Sequence, residues 1–529
     1  MPKPPCDQAV IESGHPVVPC AKGAEPWVLT ATILASSMAF IDSTVVNVAL
    51  PALETSLGGT VIDMQWIVES YALLLSALIL VGGSMGDLFG RRRMFLAGVT
   101  AFAIASAGCG LAPNIRQLVI ARAIQGVGAA FLVPGSLSII SASFSEKERG
   151  WAIGTWAGFT TITAAMGPIL GGWLIEHASW RWAFFINVPI AAAVIVLSLW
   201  HVPESRIGGQ RSVDWTGALI VTVGLASVTY GFIESGDRGW SHPSVWGSLA
   251  IGCLGLIAFS PFESHARAPM VPLTLFRSSD FTGANLLTLF LYGALGIFFF
   301  LFPMNLIQVQ HYSATATGAA ALPLILLMFL LSRWSGGLVA RYGARPPLII
   351  GPLVAAAGFL LFAMPAVGGS YWRTFFPAFV VLGLGMAISV APLTTVVMGA
   401  VGQNYAGTAS GINNAVARVA GLLAIAILGI VMVNAFSYHM NRSLTQLNLP
   451  GNVMQGLKSS EIRLAALAVP GGIGPTTAAA LKASVDGAFV FGFRVIILIC
   501  AGLAITSSAL ASRMLATNAP SAGQPSNVK

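Results

Sequence analysis

The sequence is poor in charged residues: only 9% of its 529 residues are Asp, Glu, Lys or Arg, whereas 56% are hydrophobic. An average soluble domain carries about 25% charged residues, so these charges are too few to cover a water-facing surface of this size. The shortage argues against a water-soluble enzyme, a nucleic-acid-binding protein and a disordered chain. A protein that crosses a membrane several times remains.

Several signatures of cofactor chemistry are also missing. No pair among the seven histidines has metal-ligand spacing, and no phosphate-binding loop with a GK[ST] ending occurs. Three of the five cysteines lie inside apolar runs and two near the N-terminus, so no disulfide framework is expected. We therefore expect no cofactor, no metal and no direct ATP hydrolysis. Any transport must then be driven by an ion gradient.

Fourteen apolar runs are long enough to cross a bilayer, which takes roughly 20 residues per helix. They predict an all-α polytopic membrane protein with 14 transmembrane helices, and the gaps leave no room for a soluble domain. The remainder is an N-terminal tail (1–26, which has no signal-peptide core), a C-terminal tail (513–529), short loops and one long loop (436–485). The runs lie near residues 27–50, 66–86, 94–111, 115–139, 150–175, 181–200, 214–233, 243–261, 281–305, 316–339, 347–365, 374–397, 406–435 and 486–512.

The basic residues are distributed unevenly between alternate loops. With a cytoplasmic N-terminus, the short inner loops hold eleven of them and the short outer loops hold four, which is the positive-inside bias. Both tails are therefore predicted to be cytoplasmic and loop 436–485 to be outside, and the net charge of +8 indicates topology and not nucleic acid. The inner set is Arg91, Arg92, Arg93, Lys147, Arg149, Arg206, Arg211, Arg267, Arg277, Arg341 and Arg345; the outer set is Arg116, Arg181, Arg238 and Arg373.

One loop pattern occurs twice. Gly83–Arg92 follows the second span, and Gly336–Arg345 follows the tenth, with matching glycines and arginines offset by 253 residues. Six spans precede a central pair, and six follow it. We therefore predict an N-terminal bundle (27–200), a linker with two additional helices (201–262) and a C-terminal bundle (263–512), a repeat typical of transporters. Chance similarity between glycine-rich loops is the alternative.

Ordered motifs resemble those of the major facilitator superfamily, in its fourteen-span drug:proton antiporter branch. The resemblance covers nearly the whole chain, and each motif lies at the expected span. It implies two six-helix bundles plus two central helices, and proton-driven export by alternating access. The motifs are Ile41-Asp-Ser-Thr-Val-Val-Asn-Val-Ala-Leu-Pro51 in span 1, Gly83 to Arg92 in the first inner loop, Arg122-Ala-Ile-Gln-Gly-Val-Gly128 in span 4, Gly167-Pro-Ile-Leu-Gly-Gly172 in span 5, and Trp180-Arg-Trp182 with Asn187 and Pro189.

Two carboxyl groups fall at membrane depth, and both are candidates for proton coupling. A charge there costs about 2.5–3.5 kcal/mol even on the mild insertion scale. Burial disfavours an ionised carboxylate, so such a group can exchange a proton near neutral pH. We expect Asp42 to bind the coupling proton, and Glu69 to assist it or contact a cationic substrate. A structural hydrogen-bond acceptor between spans is the alternative for Asp42, and exposure to external water for Glu69.

The resemblance assigns three further sets of residues. It gives Arg122 a role in proton coupling, since an arginine stays charged and can hold a nearby carboxylate ionised; a structural arginine is the alternative. The loop residues Gly83, Asp87, Gly90, Arg91 and Arg92 are expected to gate the cytoplasmic side, with Asp87 pairing with arginines or capping a helix of the other half; a topology anchor alone is the alternative. Ala340 replaces the aspartate in the second loop. The antiporter motif of span 5 contributes Gly167, Pro168, Gly171 and Gly172, for which close helix packing is the alternative.

Polar and aromatic residues inside spans are candidates for a substrate cavity, since an apolar cavity with few polar groups suits amphipathic or cationic compounds. Each is equally compatible with an interhelical hydrogen bond. The candidates are Asn47, Tyr71, Gln125, Tyr292, Gln308, Asn413, Asn414 and Arg418.

Proton-coupled export of small lipophilic or cationic compounds, as in multidrug efflux and antibiotic resistance, is therefore the leading functional hypothesis. The expected partners are the lipid bilayer of the inner (cell) membrane, protons and a small-molecule substrate, with no nucleic acid. Export of an endogenous amino acid, fatty acid or siderophore stays open, as do a periplasmic adaptor protein and the oligomeric state. A membrane-embedded enzyme or a sensor is disfavoured, because the sequence has neither a catalytic cluster at membrane depth nor a signalling domain.

Overall fold

The computed structural model is helical, as expected, and it describes residues 24–144, 146–205, 214–266, 269, 271–401, 406–445, 464–465, 467 and 474–515. Within these residues, 14 helical segments are long and apolar enough to cross a membrane. Each overlaps one of the predicted runs, which confirms the span assignment. Most of tail 1–26 and tail 513–529 lies outside the described residues.

The helices are labelled here in chain order. Span 6 consists of α6 and α7, span 10 begins in α11 and continues into α12, and the other spans each contain one long helix. The helices are α1 (Glu25–Leu57), α2 (Val61–Phe89), α3 (Arg91–Leu111), α4 (Ile115–Ser143), α5 (Glu146–His177), α6 (Trp182–Phe185), α7 (Asn187–His201), α8 (Trp215–Arg238), α9 (Pro243–His265), α10 (Ser279–Met304), α11 (Ala314–Ala320), α12 (Leu322–Gly336), α13 (Leu338–Tyr342), α14 (Arg345–Phe362), α15 (Tyr371–Gly399), α16 (Ala406–Leu444) and α17 (Pro475–Met514).

Local sequence signals set the connection between α1 and α2. α1 ends at Gly58, whose φ of 66° is left-handed and therefore suits a residue without Cβ. Thr60 and Asp63 then form a reciprocal capping box, in which each side chain accepts a hydrogen bond from the other residue's backbone N–H. These caps end one apolar helix and start the next within a few residues, and thereby fix where Asp42 and Glu69 fall along their helices.

The duplicated loops have the same backbone form. Gly90 (φ 107°) separates α2 from α3, and Gly343 (φ 81°) separates α13 from α14. Both angles lie in a region that favours glycine, which explains why glycine recurs at positions 253 residues apart.

The duplicated arginines also make the same kind of contact. Arg92 donates from Nη1 to the carbonyl of Val202 at 3.1 Å. Val202 directly follows α7, which ends span 6. Arg345 donates from Nη2 to the carbonyl of Ser512, near the end of the last helix of the chain. In each bundle, the equivalent arginine therefore hydrogen-bonds to a carbonyl at the end of the last helix. This supports an internal repeat over chance similarity.

Contacts group the chain into two compact units. One comprises the described parts of Met1–Met270, Phe300–Ala319 and Phe436–Phe489, and the other those of Val271–Phe299, Ala320–Ala435 and Val490–Lys529.

The long loop is shorter than the sequence suggested. α16 continues to Leu444 and α17 begins at Pro475, so both ends of the predicted loop 436–485 are helical. Hydropathy marks only the apolar part of a helix, whereas the hydrogen-bonded turns continue beyond it. Most of the residues between these helices lie outside the described residues.

Candidate functional site

Asp42 lies fully buried in the middle of α1 and accepts three side-chain hydrogen bonds. Its Oδ2 contacts Nη1 of Arg122 at 2.5 Å. Its Oδ1 accepts from Nε2 of Gln125 at 2.7 Å and from Nδ2 of Asn187 at 3.2 Å. Both carboxylate oxygens are therefore bound by donors, which is the condition under which a charge is tolerated in a protein interior.

Arg122, on α4, is held from three sides and is only 1% exposed. Besides Asp42 it donates from Nε to the backbone carbonyl of Ile67 at 3.1 Å and from Nη1 to Oε1 of Gln125 at 2.7 Å. Its guanidinium carbon lies 4.3 Å from the ring centre of Tyr71, a cation–π distance. The planar guanidinium thus bridges α1, α2 and α4, which a flexible ammonium could not do with the same geometry.

A serine completes the polar cluster. Ser106 on α3 accepts from Nε2 of Gln125 at 3.2 Å and from Nδ2 of Asn187 at 2.9 Å, and donates to the carbonyl of Phe184 at 2.8 Å. Asp42, Ser106, Arg122, Gln125 and Asn187 are all nearly or fully buried, and together they form what we call the Asp42 cluster.

The directions of these hydrogen bonds determine what the cluster can do. Among the described residues, the side chains that hydrogen-bond to Asp42 all donate to it, namely Arg122, Gln125 and Asn187. A carboxylate has about four lone-pair positions, and these donors occupy three of them. A proton on Asp42 would remove its negative charge and so weaken the ion pair between α1 and Arg122 on α4.

Glu69 is not part of this cluster, although its backbone lies only two residues from Tyr71. Its side chain is fully buried, and neither carboxylate oxygen has a hydrogen-bond partner. The structure therefore brings Asp42 and Arg122 together as a pair but keeps Glu69 separate from them.

The inner loop after α2 is held by contacts within the first compact unit. Asp87 pairs with Arg91, Oδ1 to Nη2, at 2.9 Å, and Arg91 also donates to the carbonyl of Ser138 on α4 at 3.2 Å. This pair is local, between residues four apart, and the role of Asp87 in a cytoplasmic gate stays a prediction. Gly83 lies beside Pro134 of α4, where a Cβ would be 3.7 Å from that ring.

Glu204 is the main residue of this region that the sequence reasoning missed. Its carboxylate, 4% exposed, accepts from the backbone N–H of Arg92 at 3.0 Å and of Arg93 at 3.2 Å. An acid at a helix N-terminus satisfies unpaired N–H groups and opposes the helix dipole, so Glu204 stabilises the start of α3. Nothing in the sequence singled it out, because acids at the ends of spans are usually exposed to solvent.

The antiporter motif packs α5 against α1 beside Asp42. A Cβ at Gly167 would lie 3.3 Å from the Cα of Ile41, and one at Gly171 would lie 2.6 Å from a methyl group of Val45. Ile41 and Val45 flank Asp42 on α1, so these glycines set how closely α5 approaches the helix that carries the carboxylate. A packing role is therefore present whatever else the motif does.

The other half of the motif faces α11. A Cβ at Gly172 would collide with the carbonyl of Ala314, and one at Gly318 would collide with the carbonyl of Pro168. Backbone lies against backbone here, which only glycine permits.

Gln308, one of the predicted cavity residues, contacts an acid at the end of α1. Its Nε2 donates to Oε2 of Glu54 at 2.7 Å. Gln308 lies on a π-helical segment, Asn305–Val309, and the following His311 has a φ of 58°. π-Turns and left-handed non-glycine residues often mark functional sites. Glu54 is 2% exposed and was missed because it lies just beyond the predicted span.

A cavity of about 610 Å³ adjoins this contact. Its size lies within the range of small-molecule sites. Under the predicted topology it is at the outer ends of α1 and α5. It is lined by Val48, Pro51, Ala52, Thr55, Ser56, Ile175, Ile307, Gln308, His311, Ala314 and Ala465.

The remaining cavity candidates are scattered. Asn413 donates to Oδ1 of Asn285 at 3.1 Å and to Oγ1 of Thr288 at 2.7 Å, so it joins α16 to α10 within the second compact unit. Asn414 and Asn47 donate to carbonyls of their own helices. Tyr292 and Arg418 are half-buried in the same unit as Asn413.

Comparisons with known proteins agree with this architecture. The model of the Major Facilitator Superfamily matches residues 32–425. A bacterial homologue of the human lysosomal transporter Spinster, solved in an inward-facing and unoccupied conformation, has a similar fold, with a TM-score of 0.63 at 17% identity over 94% of this chain and 99% of that chain.

Sequence relatives are closer. The tetracenomycin C resistance and export protein of Streptomyces glaucescens is 31% identical over 92% of this chain and 91% of its own length. The multidrug resistance protein Stp of Mycobacterium tuberculosis (strain CDC 1551 / Oshkosh) is 36% identical over 76% and 75%. This chain therefore belongs to the major facilitator superfamily, as a multi-pass membrane transporter of small molecules and not an enzyme.

Proposed function

We propose that the chain exports small lipophilic or cationic compounds from the cell in exchange for protons. The observation that carries this proposal is the buried Asp42–Arg122 ion pair, at 2.5 Å, between the membrane-spanning helices α1 and α4. The names of two relatives, one a resistance and export protein and the other a multidrug resistance protein, support the direction and the substrate class.

The coupling step follows from the donor pattern around Asp42. When a proton binds Asp42, the carboxyl loses its charge and its attraction for the Arg122 guanidinium weakens. Arg122 then keeps its positive charge in a buried place with two remaining acceptors, Gln125 and the Ile67 carbonyl. We propose that this imbalance drives the change between inward-open and outward-open forms, and that deprotonation restores the pair.

The helices that respond are those packed on α1. Gly167 and Gly171 place α5 directly against the turn that carries Asp42, and Gly172 places the same helix against Ala314. α5 therefore connects the Asp42 cluster with α11. We propose that the N-terminal bundle (27–200) and the C-terminal bundle (263–512) rock about such contacts, with the loop from Gly83 to Arg92 as the inner gate and Gln308–Glu54 as part of an outer gate.

The driving force is sufficient for this work. A total proton-motive force of about 150 mV supplies about 3.5 kcal/mol per proton, which sustains a few-hundred-fold concentration gradient of an uncharged substrate exchanged for one proton. Export of an endogenous amino acid, fatty acid or siderophore is the second candidate, and the relatives' names favour it less.

The test is reconstitution of the full chain into liposomes with an imposed pH gradient. We expect uptake of a fluorescent lipophilic cation, of puromycin or of tetracenomycin C to depend on the gradient and to be accompanied by proton counterflow. Amino acids, fatty acids and siderophores form the comparison set. Gradient-driven flux of that set alone would overturn the drug-export proposal, and flux that ignores the pH gradient would overturn proton coupling.

A further inference from the structure

Glu69 is the largest departure from ordinary burial rules in the described part of the spans. Its side chain is fully buried, and neither carboxylate oxygen accepts a hydrogen bond. A buried carboxylate without partners is far more costly than a neutral carboxylic acid in the same place. Asp42, by contrast, is surrounded by donors. The two acids therefore differ in the protonation state that their surroundings stabilise.

The position of Glu69 on α2 shows which helix covers it. Residues three, four or seven apart share one face of a helix, so Glu69 shares a face with Trp66 and Ile62. The Trp66 ring lies 6.1 Å from that of Tyr230 on α8, and a Cβ at Gly236 on α8 would lie 3.5 Å from the terminal methyl of Ile62.

The opposite side of α2 meets the Asp42 cluster. Tyr71, two residues after Glu69, contacts Arg122, and the carbonyl of Ile67, two residues before it, accepts from the same arginine. Two residues along a helix correspond to a rotation of about 200°. Glu69 thus points away from Arg122 and toward α8, the first of the two additional helices.

Two hydroxyl groups at this contact are also buried without partners. Ser70 follows Glu69 on α2, and Thr229 lies on the same face of α8 as Gly236, seven residues before it. Buried polar groups in native proteins nearly always have a hydrogen-bond partner, either protein or water. The contact between α2 and α8 therefore concentrates polar groups that helix packing alone does not require.

Other ionisable groups near this contact are already engaged. On α8, Glu234 pairs with Arg238 at 2.8 Å, and the Tyr230 ring packs at a tilt against Trp66. On α4, Arg122 is bound to Asp42. None of these is a hydrogen-bond partner of Glu69.

We propose that Glu69 is a second proton-carrying site, enclosed by the additional helix α8 and independent of the Asp42 cluster. This inference rests on the proposed function, to which it adds the number of protons exchanged. The Glu69 carboxylic acid releases its proton to water when α2 and α8 part on one side of the membrane, and the carboxylate takes a proton from water on the other side. One cycle then exchanges two protons, one at each site, and the additional helix pair has a role in coupling.

The first test needs no substrate. Infrared spectra of the purified full chain in lipid at pH 7 should contain the C=O band of a protonated carboxylic acid, and Glu69→Gln should lose it. Glu234→Gln is the matched control and should keep the band, since Glu234 is ion-paired on α8. An identical carboxylic acid band in the parent and in Glu69→Gln would overturn the proposal.

Folding and transport supply the second readout. Glu69→Met should leave stability unchanged or raise it, because no hydrogen bond is lost; marked destabilisation would indicate a structural carboxylate and contradict the proposal.

The transport test uses a one-unit pH gradient with the membrane potential clamped at zero. The concentration ratio of an accumulated compound across the membrane should reach about 100 in the parent and about 10 in Glu69→Gln, since each proton contributes a factor of ten.

The same ratio in parent and variant would refute a second proton. Absence of pH-driven accumulation in the parent would instead refute the proposed function, and the infrared result would still decide whether Glu69 carries a proton.

Discussion

Replacing Asp42 by asparagine would leave the guanidinium of Arg122 buried, at 1% exposure, without a counter-charge. The change keeps the size of the side chain but leaves a single acceptor oxygen where Asp42 now accepts from Arg122, Gln125 and Asn187. The new amide nitrogen must then face at least one donor. Removing one partner of a buried ion pair typically costs about 3–5 kcal/mol, and we expect a loss of stability of that size.

The double variant Asp42→Asn/Arg122→Gln separates this cost from a general loss of packing. With both charges removed, most of the lost stability should return, because the remaining amide groups can hydrogen-bond with one another. The assay is unfolding in mixed detergent–SDS micelles, followed by fluorescence of the 13 tryptophans. Glu234→Gln, which breaks a partly exposed pair, should cost no more than about 1 kcal/mol. The reasoning is refuted if the single variant is as stable as the parent, or if the double variant is no more stable than the single one.

Three further substitutions test packing and capping. Gly126→Ala should destabilise the protein by about 1–3 kcal/mol in the same unfolding assay, because the added methyl group collides with the carbonyl of Tyr71; wild-type stability would contradict the tight packing of α4 on α2. Glu204→Ala should cost about 0.5–2 kcal/mol through loss of the α3 cap, and an unchanged midpoint would argue against it. Gln308→Leu should cost about 1–3 kcal/mol by removing a donor from the buried Glu54, whereas Gln308→Asn as a shorter amide should cost less; equal effects would argue against the hydrogen bond.

The order of the spans could be predicted from the sequence because the bilayer permits few backbone conformations. Backbone groups in lipid must be satisfied within a helix, so an apolar run of the right length has little alternative. The glycines of the duplicated loops were equally predictable, since Gly90 and Gly343 both adopt a positive φ.

The side-chain partners within the site were harder to predict from the sequence. Asp42 and Arg122 were each identifiable as charges at membrane depth, but their contact depends on the rotation of α1 and α4 about their own axes. Asn187 stood in a quoted motif, yet nothing local indicated that its amide reaches Asp42. Glu69 was expected to act beside Asp42, and the structure places it on the other side of α2; its role as a proton site stays a prediction.

Two acids near the ends of spans were not singled out in the sequence. Glu54 and Glu204 flank apolar runs, where hydropathy does not indicate burial, yet both are buried. Glu54 meets Gln308, 254 residues later, and Glu204 caps α3, more than a hundred residues earlier. Such long-range contacts leave no periodic signal in the sequence.

The central claim is that Asp42 exchanges the coupling proton. The most direct measurement compares the parent and Asp42→Asn in liposomes with and without a pH gradient, using a compound that the parent accumulates. We predict that Asp42→Asn loses net gradient-driven accumulation, because the change of form needs a proton on Asp42, while exchange of labelled for unlabelled compound continues. Full proton-driven accumulation by Asp42→Asn would contradict the account.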